Sequence, residues 1–215
     1  MENLDYHKIY ALQDIVLNVV FMKETEFYLT GGTCLNRFFW EKRYSDDLDF
    51  FTNFSNTFHY SFKELLERFD ENEINYEIKI ESKDFLRIVI NKNKIDLQVD
   101  IVNDRVKRFE KLVNKNNYIL DNPLNILSNK LIAVLGRDNP KDVFDIVLIS
   151  DNLNIEWRNI LAQASEKMVF QKEDLVYRLS SFPVFLLQKI KFIDKKFVDD
   201  IPRKLKSIIN EIIAV

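Results

Sequence analysis

Cysteine, histidine, glycine and proline are all scarce in this chain of 215 residues. The single cysteine, Cys34, excludes a disulfide framework and any cysteine-based zinc centre. His7 and His59 lie far apart and flank no other ligand-type residue, so a histidine metal site is not expected either. With 3 Gly and 4 Pro the chain is neither collagen-like nor of low complexity. No apolar run reaches the length of a membrane span, and no membrane partner is expected. The opening MENLDYHKIY has neither the basic stretch nor the apolar core of a signal peptide, so the expected location is cytoplasmic. The Walker A pattern, the lipase Gly-x-Ser-x-Gly and the metalloprotease His-Glu-x-x-His are absent.

What is abundant is apolar bulk. Hydrophobic residues make up 47%, including 18 Phe and 8 Tyr, which demands a buried core and excludes disorder as the main state. A chain of this length holds one to two domains and buries roughly 70% of its unfolded surface. The net charge of −3 is unevenly spread. Residues 103–115 set Arg105, Lys107, Arg108, Lys111 and Lys115 against Asp104 and Glu110. Residues 189–206 set Lys189, Lys191, Lys195, Lys196, Arg203, Lys204 and Lys206 against Asp194, Asp199 and Asp200. An acidic body with two basic segments suits a nucleic-acid partner, and it equally suits two solvated helix faces.

Periodicity predicts a helix over 4–23, a strand over 26–30, a helix over 33–41, a strand over 47–52 and a helix over 58–72. Three β-prone runs follow at 74–81, 84–91 and 94–102, with a hairpin signal at Asn91-Lys92-Asn93. Beyond Asn122-Pro123 the pattern is helical: 123–136, 140–151, 155–168, 172–179 and a last stretch near 198–213. The expectation is an α+β fold: a mixed sheet flanked by helices in residues 1–121, with a helical region over 122–215 packed on it. The boundary is set by Pro123, because the residue before a proline resists the helical conformation.

Two of the three glycines stand together, Gly31-Gly32, between a strand and a helix. Such a pair is a tight turn, or a place where backbone N–H groups and the Thr33 hydroxyl meet an anion. Further on, Asp47 and Asp49 alternate on a strand and share a face, their Cα atoms about 6.5 Å apart. Carboxylates that close repel unless a cation or proton intervenes, and Asp is a poor strand former. A Mg²⁺ site would explain them; so would an exposed edge with solvated charges. The strand over 94–102 offers Asp96 and Asp100, on one face with Gln98, as a third carboxylate. Lys130 lies among Leu127, Leu131 and Val134 and must reach solvent or an anion. Asp142 and Asp145, three apart on a helix, share a face and either position a bound ligand or join an ion-paired network with Lys130 or Arg137. Cys34 reads as a small buried thiol without a nucleophile's partners, and Phe38, Phe39 and Trp40 read as core.

Gly31-Gly32-Thr33, then Arg43-x-Ser45-x-Asp47-Leu48-Asp49-Phe50, resembles the signature of the AbiEii/AbiGii toxin nucleotidyltransferases, within the polymerase-beta-type superfamily. The strand Val99-Asp100-Ile101-Val102 resembles the one that gives the family's third carboxylate. Leu127-x-x-Lys130-Leu131-x-Ala133 with Arg137, and Lys141-Asp142-x-x-Asp145-Ile146, resemble its two later helical motifs. The resemblance runs in order from about residue 28 to 150. It implies a two-metal transfer of a nucleoside monophosphate from an NTP to an acceptor hydroxyl, RNA such as tRNA. It also implies a role as the toxin of a toxin–antitoxin or phage-defence pair, with a cognate antitoxin. Asp47, Asp49 and Asp100 would be the catalytic ligands of Mg²⁺ or Mn²⁺, with Asp96 competing for the third place. Lys130 would be catalytic beside the leaving pyrophosphate, and Gly31, Gly32, Thr33, Arg43, Ser45, Arg137 and Asp145 would bind the nucleotide. Two other functions stay open at this stage: nucleotidylation of a protein or small molecule, and nucleotide binding without catalysis.

Overall fold

Strands of β-branched and aromatic residues that alternate buried and outward positions form the centre of a seven-stranded sheet. The structure, a computed structural model, describes residues 5–215; Leu4 of the first expected helix and the first residues of the opening segment lie outside them. The elements run α1 (Tyr6–Phe21), β1 (Tyr28–Thr30), α2 (Gly31–Phe38), β2 (Leu48–Asn53), α3 (Phe58–Glu71), β3 (Tyr76–Glu81), β4 (Phe85–Lys92), β5 (Ile95–Asp104), β6 (Val113–Lys115) and β7 (Tyr118–Leu120). Then come α4 (Pro123–Gly136), α5 (Pro140–Asn152), α6 (Trp157–Lys167), α7 (Lys172–Ser180), a 3₁₀ helix (Val184–Lys189) and α8 (Lys195–Ile213).

The chain divides into two compact units. The first runs to Cys34 and adds Ser45–Val106 and Leu112–Asp121; the second takes Leu35–Tyr44, Lys107–Lys111 and everything from Asn122. In the first unit the strand order is β3-β4-β5-β2-β1-β7-β6. β2 runs parallel to β5 and β1 parallel to β7, while the remaining pairs are antiparallel, so the sheet is mixed. One sheet face presents Leu29, Leu48, Phe50, Leu86, Ile88, Leu97, Val99 and Ile101, all buried, to a core shared with Val16 and Val20 of α1 and Phe62 and Phe69 of α3. Each such side chain stabilises by about 1.5–3 kcal/mol when fully buried. The opposite face is left for polar residues, among them Asp49, Arg87, Gln98 and Asp100.

Two type I′ hairpins rest on consecutive residues with positive φ: Asn93-Lys94 between β4 and β5, and Asn116-Asn117 between β6 and β7. In the second unit α4 packs on α5, α6 and α7, and α8 covers α5 and α7. α4 and α5 start alike. Asn122 and Asn139 cap them, accepting from Leu124 N and Lys141 N at 3.0 Å, and Pro123 and Pro140 follow at the first helical position. Phe38, Phe39 and Trp40, expected in the core, are half-buried. They are consecutive at the end of α2 and point in different directions, so they cannot share an inward face.

Candidate active site

In the first unit the acidic residues meet through strand register. Thr30 pairs with Asp49, Asp49 with Asp100, and Asp100 with Arg87, so four residues form one row across β1, β2, β5 and β4. Residues paired in register project from the same sheet face, and neighbouring strands are about 4.8 Å apart. Asp96 lies beyond the stretch of β5 that pairs with β2; it is exposed and accepts from Asn91 Nδ2 at 2.6 Å. Asp100 is therefore the residue of that strand brought beside Asp49.

Asp47 precedes β2 in a segment held on several sides. Ser45 Oγ reaches its Oδ1 at 3.5 Å, and the Thr33 hydroxyl donates to its carbonyl. Gln13 of α1 donates to Ser45 O at 3.0 Å, while Tyr10 OH accepts from Ser45 N at 3.3 Å. Thr33 and Ser45, expected at the phosphates, thus both steady Asp47, and both are buried. Gly31 stands at φ +71°, a backbone that side chains disfavour, and a Cβ there would collide with Asp49 Oδ2. The missing Cβ lets the Asp49 carboxylate lie against the backbone where α2 begins. Gly31→Ala is expected to cost about 1–2 kcal/mol of stability from the backbone alone and to push Asp49 out of the row. Thermal melting and Mn²⁺ titration of that variant check both effects.

Arg87 was not among the residues the sequence pointed to. Its Nε and Nη2 donate to Asp100 Oδ1 and Oδ2 at 2.7 and 2.6 Å, a bidentate pair. Gln98 Nε2 adds a contact to Asp100 Oδ2 at 3.3 Å. The hydrogen bond to Asp100 raises the guanidinium pKa against partial burial, and Asp49 and Asp47 reinforce it through their charge. All three carboxylates therefore lie within the field of one arginine. Their excess negative charge and oxygen donors suit a hard divalent cation. With Asp100 turned to Arg87, however, no group of three or more His, Cys, Asp or Glu is arranged around a metal position among the described residues.

The other expected residues form a second cluster, in the second unit. Charges alternate along it: Arg137, Asp142, Lys130, Asp145, Arg43. Arg137 Nε and Nη2 donate to Asp142 at 2.7 and 3.0 Å. Lys130 Nζ bridges Asp142 Oδ1 at 2.8 Å and Asp145 Oδ2 at 3.0 Å. Arg43 grips Asp145 with Nε and Nη2 at 2.9 and 2.8 Å and gives Nη1 to Tyr44 O at 2.9 Å. Asn36 Nδ2 completes Asp145 at 3.3 Å. Asp142 and Asp145 have no exposed side-chain area and Arg43 only 1%. The structure thus places Arg43 and Asp145 in a buried ion pair rather than open to a nucleotide, because burial commits every charge to a partner. Lys130 is 13% exposed and Arg137 58%.

Burial alone would raise the Asp145 carboxyl, but Arg43 and then Lys130 outweigh it and hold the pKa at about 2. Burial would likewise lower the Lys130 ammonium, and Asp145 and Asp142 more than offset it. A carboxylate depressed from 3.8 to about 2 adds stability that is fully present above pH 4 and is lost as pH falls through 2. Its size is about 2 kcal/mol. Urea midpoints of wild type and Asp145→Asn across pH 4 to 2 should converge towards the acid end. Cys34, wholly buried, has its thiol pushed well up by burial and by Asp121, which keeps it un-ionised and inert.

No helix among the described residues is long and apolar enough to cross a membrane. No curated protein sequence matches this one. The fold is similar to that of JHP933 from Helicobacter pylori, with 16% identity over 98% of this chain and 94% of that one and a TM-score of 0.64. It is equally similar to a nucleotidyltransferase-type protein of the same species, with 18% identity, 98% and 95% coverage and a TM-score of 0.64. Residues 19–211 match the sequence model of the family described as nucleotidyl transferase AbiEii toxin, type IV TA system. A mixed sheet carrying this acidic row, a glycine turn over Asp49 and a match along nearly the whole chain together make the protein a member of the AbiEii nucleotidyltransferase toxin family.

Proposed function

We propose that the chain moves a nucleoside monophosphate from an NTP to an acceptor hydroxyl on RNA such as tRNA, as the toxin of a pair with a cognate antitoxin. The observation that carries this reading is the register row of Asp49 and Asp100, with Asp47 held beside it by Thr33 and Ser45. Asp47, Asp49 and Asp100 are the residues that would hold Mg²⁺ or Mn²⁺. Bound there, the metal supplies charge neutralisation of the triphosphate and activation of the attacking oxygen. The chain's own residues do the rest. Gly31 lets the Asp49 carboxylate lie against the backbone where α2 begins, and a helix N-terminus is a place suited to the triphosphate. A carboxylate oxygen of Asp100 takes the proton of the acceptor hydroxyl. That hydroxyl oxygen bonds to the α-phosphorus while the bond to the β-phosphate bridge breaks and pyrophosphate leaves.

The two basic segments differ in support for an RNA surface. In 103–115, Arg105 pairs with Asp84 at 2.7 Å and Lys107 with Glu166 at 3.0 Å. In 189–206, Arg203 and Lys204 pair with Asp200 and Asp151, whereas Lys189, Lys191, Lys195 and Lys196 are exposed and carry no salt bridge among the described residues. Those four lysines are the phosphate contacts we assign. Replacing all four by Gln should flatten the salt dependence of RNA binding by about 3 in log–log slope, at about 0.7 per contact to a single strand. Filter binding at stepped salt measures it, and an unchanged slope removes this surface from the reading. The central test incubates the protein with Mg²⁺, each α-labelled NTP in turn and total RNA, beside Asp47→Asn. Label on RNA with wild type alone is the expected result. Label on protein or a small molecule, with RNA untouched, overturns the acceptor; no label together with no stabilisation by NTP and Mg²⁺ overturns the chemistry.

A further inference from the structure

We propose that Arg87 is a resident cation that closes the acidic row while no divalent metal is bound, and that an incoming triphosphate is what draws it off Asp100. The inference rests on the nucleotidyl-transfer reading and adds an order of events to it. The planar guanidinium fork spends one donor on each oxygen of Asp100, at 2.7 and 2.6 Å. Gln98 Nε2 adds a second contact to Oδ2, which leaves a lone pair on Oδ1, and a metal approaching it would meet the positive charge of the arginine. Asp49 and Asp47 feel the same charge. The row therefore arrives partly neutralised, and its ligands are not gathered around a metal position.

The two partners are unequally free to move. The Asp100 side chain is 12% exposed and sits mid-strand in register with Asp49, whereas the Arg87 side chain is 33% exposed on a long flexible stem. Its guanidinium rests 5.4 Å from the centre of the Phe85 ring, a neighbour on the same strand face that can hold it without a hydrogen bond. Arg87 is thus the part that can leave while Asp100 stays. What would draw it away is an anion with more charge than one carboxylate and the same bidentate geometry, which a triphosphate provides. Gly31 lets the Asp49 carboxylate lie against the backbone at the start of α2, a helix N-terminus that suits such an anion. Metal alone then binds weakly, triphosphate alone gains Arg87, and each strengthens the other by the same factor. Arg87 is a positioning residue in this scheme, acting through Asp100.

The experiment uses the full chain as wild type, Arg87→Gln and Arg87→Lys. Mn²⁺ is titrated without nucleotide and followed by electron paramagnetic resonance. Inorganic tripolyphosphate is titrated separately, with chelator present, by calorimetry. A hydrogen-bonded charge pair of this kind corresponds to about ten- to hundredfold in binding. Arg87→Gln should bind Mn²⁺ tighter by that factor and tripolyphosphate weaker. Arg87→Lys, which keeps the charge but not the fork, should fall between in both. A pair that merely stiffens β4 against β5 would lower the melting temperature and leave both affinities alone. Mn²⁺ affinity unchanged or weaker in Arg87→Gln, beside wild-type transfer activity, overturns this inference and leaves the nucleotidyl-transfer reading standing. Tighter Mn²⁺ with unchanged tripolyphosphate overturns the coupling to the triphosphate. Absence of Mn²⁺ binding in every variant overturns both.

Discussion

Replacing Arg43 by Met should lower stability by about 3–5 kcal/mol, the cost of breaking a buried ion pair from one side. Arg43 is among the largest fully buried side chains, and all three of its nitrogens donate: two to Asp145, one to Tyr44 O. Its guanidinium also lies 5.8 Å from the Phe144 ring centre. Methionine fills part of the volume but leaves Asp145 with only Lys130 and Asn36 as described partners, in a site without water access. Lys130 cannot compensate alone, because it already serves Asp142. A chain of this size loses about 2–4 °C of melting temperature per kcal/mol, so the midpoint should fall by roughly 10 °C. Arg43→Met/Asp145→Leu should recover part of that loss, since removing both charges leaves none stranded. Thermal and urea unfolding of the two variants measure the coupling. A wild-type midpoint in the single variant would mean that the pair contributes nothing net and that Arg43 is held for another purpose.

That prediction also marks a place where local sequence is silent. Arg43 precedes Ser45 and Asp47 in a motif about phosphates, and nothing local distinguishes a phosphate ligand from the keystone of a buried cluster. The distinction is tertiary: it depends on α5 bringing Asp145 against Arg43. The ion-paired network left open for Asp142 and Asp145 is the arrangement that the helices adopt around Lys130. Elements with strong local signals were legible. Pro123 and Pro140, each behind a capping Asn, set the starts of α4 and α5. Alternation set β4 and β5, and the parity of Asp100 and Gln98 was readable on it. The hairpin of β6 and β7 is hard to read from sequence, although Asn116-Asn117 is a type I′ turn signal, because strands of three residues carry too little periodicity. The 3₁₀ helix at Val184–Lys189 is too short to show a period either. Arg87 had one available signal: a cation alternating with Phe85 and Val89 on a strand whose other face is Leu86, Ile88 and Ile90. Its meaning needs the register that sets it opposite Asp100, and one sequence does not supply register.

Asp49→Asn should abolish nucleotidyl transfer, by about a thousandfold or more, while leaving the fold as stable as wild type or slightly more so. The two halves come from one cause. Asp49 sits in a row with Asp100 and near Asp47, and the first unit holds these like charges together with Arg87 as their shared counter-ion. Removing one charge relieves repulsion in the folded protein and takes nothing from the apolar core, whose residues lie on the other sheet face. Asparagine keeps the shape beside Gly31, so the turn into α2 has no new collision to absorb. In the proposed reaction the chemistry, in contrast, depends on that charge: groups preorganised around developing charge each contribute about 10²–10³ in rate, and a carboxylate that would also hold the metal should contribute at least as much. Label transfer and thermal melting on the same preparation test both halves. A midpoint that falls with activity would make Asp49 a structural residue of the β1–β2 pair, and the acidic row an ordinary strand edge. A held or raised midpoint with activity gone is what a site built against its own electrostatics requires, since a merely structural carboxylate has no reason to stand in register with another.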